Sequence, residues 1–364
     1  MELTTAQALA LRMRSLLLTP PHAREDVAGI VEWFGAMQAQ DMASGLWSLG
    51  VRLPGRTAGD VTAALERREA IRTWPMRGTV HLVPPADARW MLELMGVRVL
   101  AGAAKRREAI GLSEAAADRG VEILATILKG DRLTRAECLA ALADAGVTLG
   151  PQMGYHLLWY ASQQGVTCIA PHIGKEQTFV LLEEWAPQPR QPDRAEALGI
   201  MALRYFRSHG PATRADFARW TGLTMGDTRA GIAAAGDRLT TVRVDGAEMV
   251  LDPALLDTAP AEVAGDWAAL PGFDEYMLGY KDRTLMMADE HLAAVVPGGN
   301  GVFRSTLVRG GRVVGTWTRT LGKKAVTVEV QPLVQLGRAE RAQAEAALQP
   351  YAAFVGLPLQ VRWP

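Results

Sequence analysis

The chain has 364 residues, 49% hydrophobic and 21% charged, with 39 basic and 39 acidic side chains and a formal net charge of zero. That length suggests two to four packed units at roughly 100 to 200 residues per domain, and the composition requires no disordered part. No apolar stretch approaches the roughly 20 residues of a membrane span, and zero net charge leaves any phosphate contact to local clusters of arginine and lysine.

In chain order, residues 4–18 and 27–38 read as apolar-periodic helices. The second ends in Met37-Gln38-Ala39-Gln40-Asp41, two neutral amides two residues apart at a helix end. An amide positions a water molecule but cannot deprotonate it; alone, the spacing favours two surface amides near a helix C-terminus. Thr57-Ala58-Gly59-Asp60 opens a helix that continues to Arg68, and 71–74 and 79–83 read as strands around Met76-Arg77-Gly78.

Thr134-Arg135-Ala136-Glu137 and Thr213-Arg214-Ala215-Asp216 are near-copies. In each, threonine caps a helix and the acid three residues later reaches back. After the first come helices over 137–145 and 152–163 and strands over 166–170 and 178–182. The second leads to helices over 216–221 and 225–235, then strands over 239–244 and 248–251 around Asp245-Gly246, a hairpin signal because both turn positions need positive φ. Helix, helix and hairpin is the order of a winged helix-turn-helix. Three such units are expected over 1–95, 115–185 and 195–258, the first with its threonine box displaced toward the hairpin. Winged helices serve as DNA readers or as protein-contact scaffolds.

Over 271–364 the expected elements are strands at 302–308, 312–319, 325–330 and 358–363, a Gly310-Gly311 turn and a helix over 338–351. The fold class is therefore α+β, three tandem winged helices with a small sheet or barrel packed on them. Between Gly301 and Val328 stand Arg304, Arg309, Arg312, Arg319, Lys323 and Lys324 with no acidic residue. This is a solvated sheet face or a phosphate-binding surface. Residues 289–301, containing His291 and Pro297-Gly298-Gly299-Asn300-Gly301, are expected to form a mobile loop without regular structure.

Most enzyme signatures are missing. The chain lacks a P-loop, G-x-S-x-G, H-E-x-x-H and a G-x-G-x-x-G after a strand, so nucleotide hydrolysis, serine hydrolysis, zinc proteolysis and dinucleotide chemistry have no support. Its six histidines lack metal-ligand spacing, and Cys138 and Cys168 stand apart without C-x-x-C, as buried thiols would. The N-terminus shows no basic segment followed by an apolar one with a cleavage site, so a cytoplasmic protein is expected.

Four segments stand together: Gln38-Ala39-Gln40, Arg72-Thr73-Trp74-Pro75-Met76-Arg77-Gly78-Thr79-Val80-His81-Leu82, Gly210-Pro211-Ala212-Thr213 and Gly272-Phe273-Asp274-Glu275-Tyr276-Met277-Leu278-Gly279-Tyr280-Lys281-Asp282-Arg283. In this combination the chain resembles the AlkZ-like and YcaQ-like winged-helix DNA glycosylases, from Leu9 to Trp363. The family motif is glutamine, an apolar residue, then glutamine or aspartate. Gln38-Ala39-Gln40 is the two-glutamine form, similar to members that protect producers of DNA-alkylating natural products. Asp41 lies one residue beyond the second motif position.

The resemblance implies three tandem winged helices packed around a C-terminal antiparallel barrel-like sheet, in a monomeric, monofunctional glycosylase acting on double-stranded DNA. Its reaction would be hydrolysis of the N-glycosidic bond of bulky N7-alkylguanine, including the unhooking of interstrand crosslinks, for repair or self-resistance. Gln38 and Gln40 would be catalytic, with no metal, cofactor or Schiff-base lysine. Arg72, Arg77, Lys281, Arg283, Arg304, Arg319, Lys323 and Lys324 are candidate phosphate contacts, and the His291 loop would enter a groove at the lesion or serve as a plain connection. A non-catalytic DNA-binding regulator and a winged-helix scaffold are the alternatives. The chemistry fits the amides: N7 alkylation makes guanine a good leaving group, and its departure leaves an oxocarbenium-like sugar, so the attacking water needs placement more than deprotonation.

Overall fold

In the computed structural model, which describes residues 1–19, 22–147, 149–150, 152–258, 265–299 and 301–364, the three threonine boxes close as the sequence predicts. Thr134 Oγ1 accepts the Glu137 N–H at 3.2 Å while the Glu137 carboxylate accepts the Thr134 N–H at 2.7 Å. Thr213 with Asp216 and Thr57 with Asp60 repeat the exchange at 3.1 and 2.8 Å. Each satisfies two backbone donors that a bare helix start leaves open.

The chain divides into one unit made of Met1–Val61 with Leu198–Pro364 and another made of Thr62–Ala197. The segment expected as the first winged helix is thus shared between them.

In the smaller unit, the strands run in the order Thr79–Val83, Ile71–Met76, Thr167–Ile173, Glu176–Leu181, Leu133–Thr134, every neighbour antiparallel. Pro75, which has no N–H to give a ladder, sits in the register shift between Thr73 and Met76. Helices Glu114–Ile127, Arg135–Asp144 and Met153–Gln163 bury Leu124, Leu142 and Leu157 with Trp74, Ile169 and Phe179 of the strands. Cys138 belongs to this core, and Cys168 is also fully buried. Burial, with the nearby Glu137 charge, pushes the Cys138 thiol up to about 12; burial raises that of Cys168 as well. Both stay protonated at neutral pH. A chromogenic disulfide reagent at pH 8 is therefore expected to find no reactive thiol in the folded protein and two after denaturation; rapid labelling of the native protein would contradict this burial.

The larger unit holds two sheets. In one, Glu2–Leu3 lies parallel to Thr240–Val244, which turns at Asp245 (φ 49°) and Gly246 (φ 78°) into Ala247–Leu251. The two positive φ values are those the Asp-Gly pair predicts. The other runs Trp267–Leu270, Ser305–Arg309, Arg312–Leu321, Val326–Pro332, Leu359–Arg362. Its first three pairings are antiparallel and the last is parallel. It is an open mixed sheet, which corrects the expected antiparallel barrel. The cause is the helix Arg338–Val355, which supplies the crossover that a parallel return needs. Its Tyr351 ring lies 5.1 Å from Trp317 of the sheet and 5.2 Å from Trp47 on helix Met42–Gly50, whose indole N–H in turn donates to the Ala269 carbonyl of the sheet at 2.9 Å, so both helices pack on it.

Residues 289–301 are not devoid of regular structure as expected. Short helical turns occupy Asp289–His291, Leu292–Val295 and Pro297–Gly299, with Val295 buried. The glycines gather at the end of the segment, leaving Leu-Ala-Ala free to take a helical turn; Asn300 lies outside the described residues. Among the described residues no helix is long and apolar enough to cross a membrane.

Candidate active site

Helix Val27–Phe34 stops at Gly35, whose φ of 80° only glycine adopts cheaply and whose N–H returns to the Val31 carbonyl at 2.8 Å. The chain then extends through Met37–Gln38. Asp41 caps the next helix, Met42–Gly50, accepting from the Ser44 N–H at 3.1 Å and from Ser44 Oγ at 2.5 Å. The amide pair therefore lies between two helices, ahead of an N-terminus, and not at a helix C-terminus as the periodicity suggests. Ala39, between the amides, is buried, and Gln40 is exposed. A Cβ added at Gly45 would fall 2.9 Å from the Ala39 Cβ, so the helix passes in contact with the motif and needs glycine there.

Gln38 is 8% exposed, and its backbone N–H donates to Glu275 Oε1 at 3.1 Å. The other carboxylate oxygen accepts from Trp220 Nε1 at 2.8 Å and from His209 Nε2 at 3.3 Å. His209 Nδ1 is 2.8 Å from Ser208 Oγ, whose hydroxyl also reaches the Arg204 carbonyl at 2.7 Å; a carboxylate only accepts, so the Glu275 contact needs the proton on Nε2. The imidazole stacks on Tyr205 (4.5 Å, 12°) and is bordered by Trp220, Phe34 and Tyr280. A Cβ at Gly279 would lie 2.2 Å from that ring. Beside Glu275, Asp274 takes a bidentate pair from Arg52 at 2.8 and 2.9 Å, the Ser48 hydroxyl at 2.8 Å and the Tyr276 N–H at 2.9 Å.

Residues 274–280 therefore form a buried brace behind the amide pair, a role that sequence patterns alone do not reveal. Two acids leading an apolar Tyr-Met-Leu run are the available signal, since acids in such company stay buried only when partnered.

Residues 31–354 match the family model described as DNA glycosylase AlkZ-like. The chain belongs to the AlkZ-like DNA glycosylase family. A relative from Streptomyces sahachiroi, an interstrand DNA cross-link repair glycosylase, is 29% identical over 333 residues, covering 87% of this chain and 88% of its own. The solved structure of Streptomyces sahachiroi DNA glycosylase AlkZ, 26% identical, covers 100% of both chains with a TM-score of 0.79.

The basic residues of this AlkZ-like glycosylase fall into distinct settings. In the larger unit, Lys281, Arg304, Lys323 and Lys324 are exposed. Lys323 and Lys324 stand in the turn joining strands Arg312–Leu321 and Val326–Pro332, beside the exposed Leu321. Arg319 is engaged inward: its guanidinium lies 3.5 Å from Asp41 and 5.7 Å from the Tyr351 ring centroid, tying this strand to the cap of the motif helix. Arg283 donates to the Met277 carbonyl at 2.7 Å and covers the Phe303 ring. His291 is half-buried, 3.9 Å from Glu290. Arg309, in the same basic run, pairs with Glu340.

Arg72 and Arg77 belong to the smaller unit. Arg72 is only 4% exposed, 3.2 Å from His172 Nε2, because strand Ile71–Met76 is flanked on both sides and buried throughout. The residue offered as a candidate phosphate contact is thus a buried one. Arg77, half-buried in the turn at φ 54°, approaches His81 Nε2 at 3.3 Å. Around the motif the structure brings together Gln38, Gln40, Asp41 and Arg319.

Proposed function

We propose that this glycosylase hydrolyses the N-glycosidic bond of bulky N7-alkylguanine in double-stranded DNA, including guanine within interstrand crosslinks, the lesion class in the name of its Streptomyces relative. The observation that carries the proposal is how the motif's neighbouring carboxylates are committed. Asp41 caps a helix and faces Arg319, and Glu275 holds the Gln38 backbone. What the motif offers is amides. Gln38 and Gln40 hold a water through their carbonyl oxygens while their NH2 groups bond sugar or phosphate. As the C1′–N9 bond breaks, its electron pair goes to N9 and neutralises the alkylated base. Water oxygen bonds C1′ and the proton is lost to solvent. An undamaged purine needs protonation to leave, which amides do not supply, so the pair also selects for damage.

The enzyme acts as a cytoplasmic monomer without lyase chemistry. The helix-helix-hairpin segments at 135–181 and 214–251 are read as winged helices that present DNA to the motif. The exposed Lys323 and Lys324 are assigned to phosphate. Replacing both with alanine is expected to lower the slope of log affinity against log salt by about 0.9 for each phosphate that is no longer neutralised, while excision from fully bound duplex persists. An unchanged slope would remove this hairpin from the DNA surface.

Duplex carrying N7-methylguanine, incubated with the protein, should break at the lesion only after alkali, as a monofunctional glycosylase requires. Tight, salt-dependent binding without alkali-revealed breaks on N7-methylguanine or crosslinked duplex would favour a non-catalytic regulator.

A further inference from the structure

We propose that Glu275 is a positioning residue for Gln38, with Trp220 and His209 aiming its carboxylate; this rests on the water-holding reading of the amide pair. The brace reaches the motif through Glu275. Glu275 Oε1 accepts the Gln38 N–H at 3.1 Å, across 237 residues of sequence, while Oε2 is held by two donors from helices Arg214–Thr221 and Arg194–His209. With donors on both oxygens, the carboxylate cannot rotate without giving up one of them. On the other side of the segment, the Ala39–Gly45 contact prevents the chain from shifting toward helix Met42–Gly50. Gln38 is thus fixed from behind and beside, as a group must be if a misplacement of about 1 Å costs on the order of 10²-fold in rate. His209 is held in turn by its stack on Tyr205 and by the close approach of Gly279.

Glu275→Gln discriminates well, because an amide has one acceptor oxygen. If that oxygen meets Gln38, the NH2 faces the indole and imidazole donors; if it meets those, the NH2 faces the Gln38 N–H. Trp220→Phe is the milder companion, removing one donor while keeping a ring. Both variants are measured alone and combined with Gln38→Ala, for binding to N7-methylguanine duplex and for single-turnover base release. Glu275→Gln is expected to slow release by on the order of 10²-fold with duplex affinity kept, and Trp220→Phe to slow it less. Neither is expected to slow the Gln38→Ala protein further, since Glu275 acts through Gln38. Equal slowing in both backgrounds, or wild-type release by Glu275→Gln while Gln38→Ala is inactive, would overturn the proposal and leave the amide pair intact. Wild-type release by Gln38→Ala would instead remove the water-holding reading, and this proposal with it.

Discussion

Asp274→Ala is expected to lower the stability of the larger unit by about 3–5 kcal/mol, the usual cost of removing one partner from a buried ion pair. Arg52 and Asp274 are 0% and 1% exposed and joined by two short hydrogen bonds. The guanidinium also donates to the Leu16 and Ser48 carbonyls. Without the carboxylate, a permanent positive charge stays buried among groups that cannot neutralise it, and the Ser48 hydroxyl is left without its acceptor. Arg214→Ala is the control, because its pair with Glu248 is 47% and 46% exposed and should contribute at most about 1 kcal/mol. Urea unfolding followed by circular dichroism separates the two. Similar midpoints for both variants would mean that Asp274 does not hold the brace.

Gln38→Ala and Gln40→Ala are each expected to slow base release by about 10²–10³-fold, the range seen when one preorganised hydrogen-bonding group is removed from a developing charge. Their fold should persist, since Gln40 is exposed and Gln38 is tied to Glu275 through its backbone. The double variant should be little slower than the worse single one, because two groups holding one water act as a unit. Effects that multiply would mean that the amides serve separate purposes.

Features written in adjacent residues are legible in the sequence. The threonine boxes and the Asp245-Gly246 turn depend on spacing and backbone sterics alone, and both form as predicted. Apolar periodicity misplaces the amide pair because it runs through Gly35, the helix-stop signal after Phe34. Helix Met42–Gly50 escapes the same reading since Ser44, Gly45, Ser48 and Gly50 depress its helical signal, although Asp41 supplies a cap. The open sheet is beyond local rules. Val326–Pro332 pairs with Leu359–Arg362 across an intervening helix, a crossover that permits a parallel return without specifying which strands meet. The brace is hidden for the same reason: Glu275 is legible as an acid in apolar company, but its partners stand on three other elements. Arg72 illustrates the reverse case, a cation that looks available until its strand proves central.

The most direct measurement is chromatographic detection of the free base released from N7-methylguanine duplex with enzyme in excess. The account predicts that the wild-type protein releases alkylguanine, that Gln38→Ala and Gln40→Ala release it at least about 10²-fold more slowly, and that the Lys323→Ala, Lys324→Ala protein keeps the wild-type rate once duplex is saturated. Release by both amide variants at the wild-type rate, or no release of N7-alkylguanine by the wild-type protein, would contradict it.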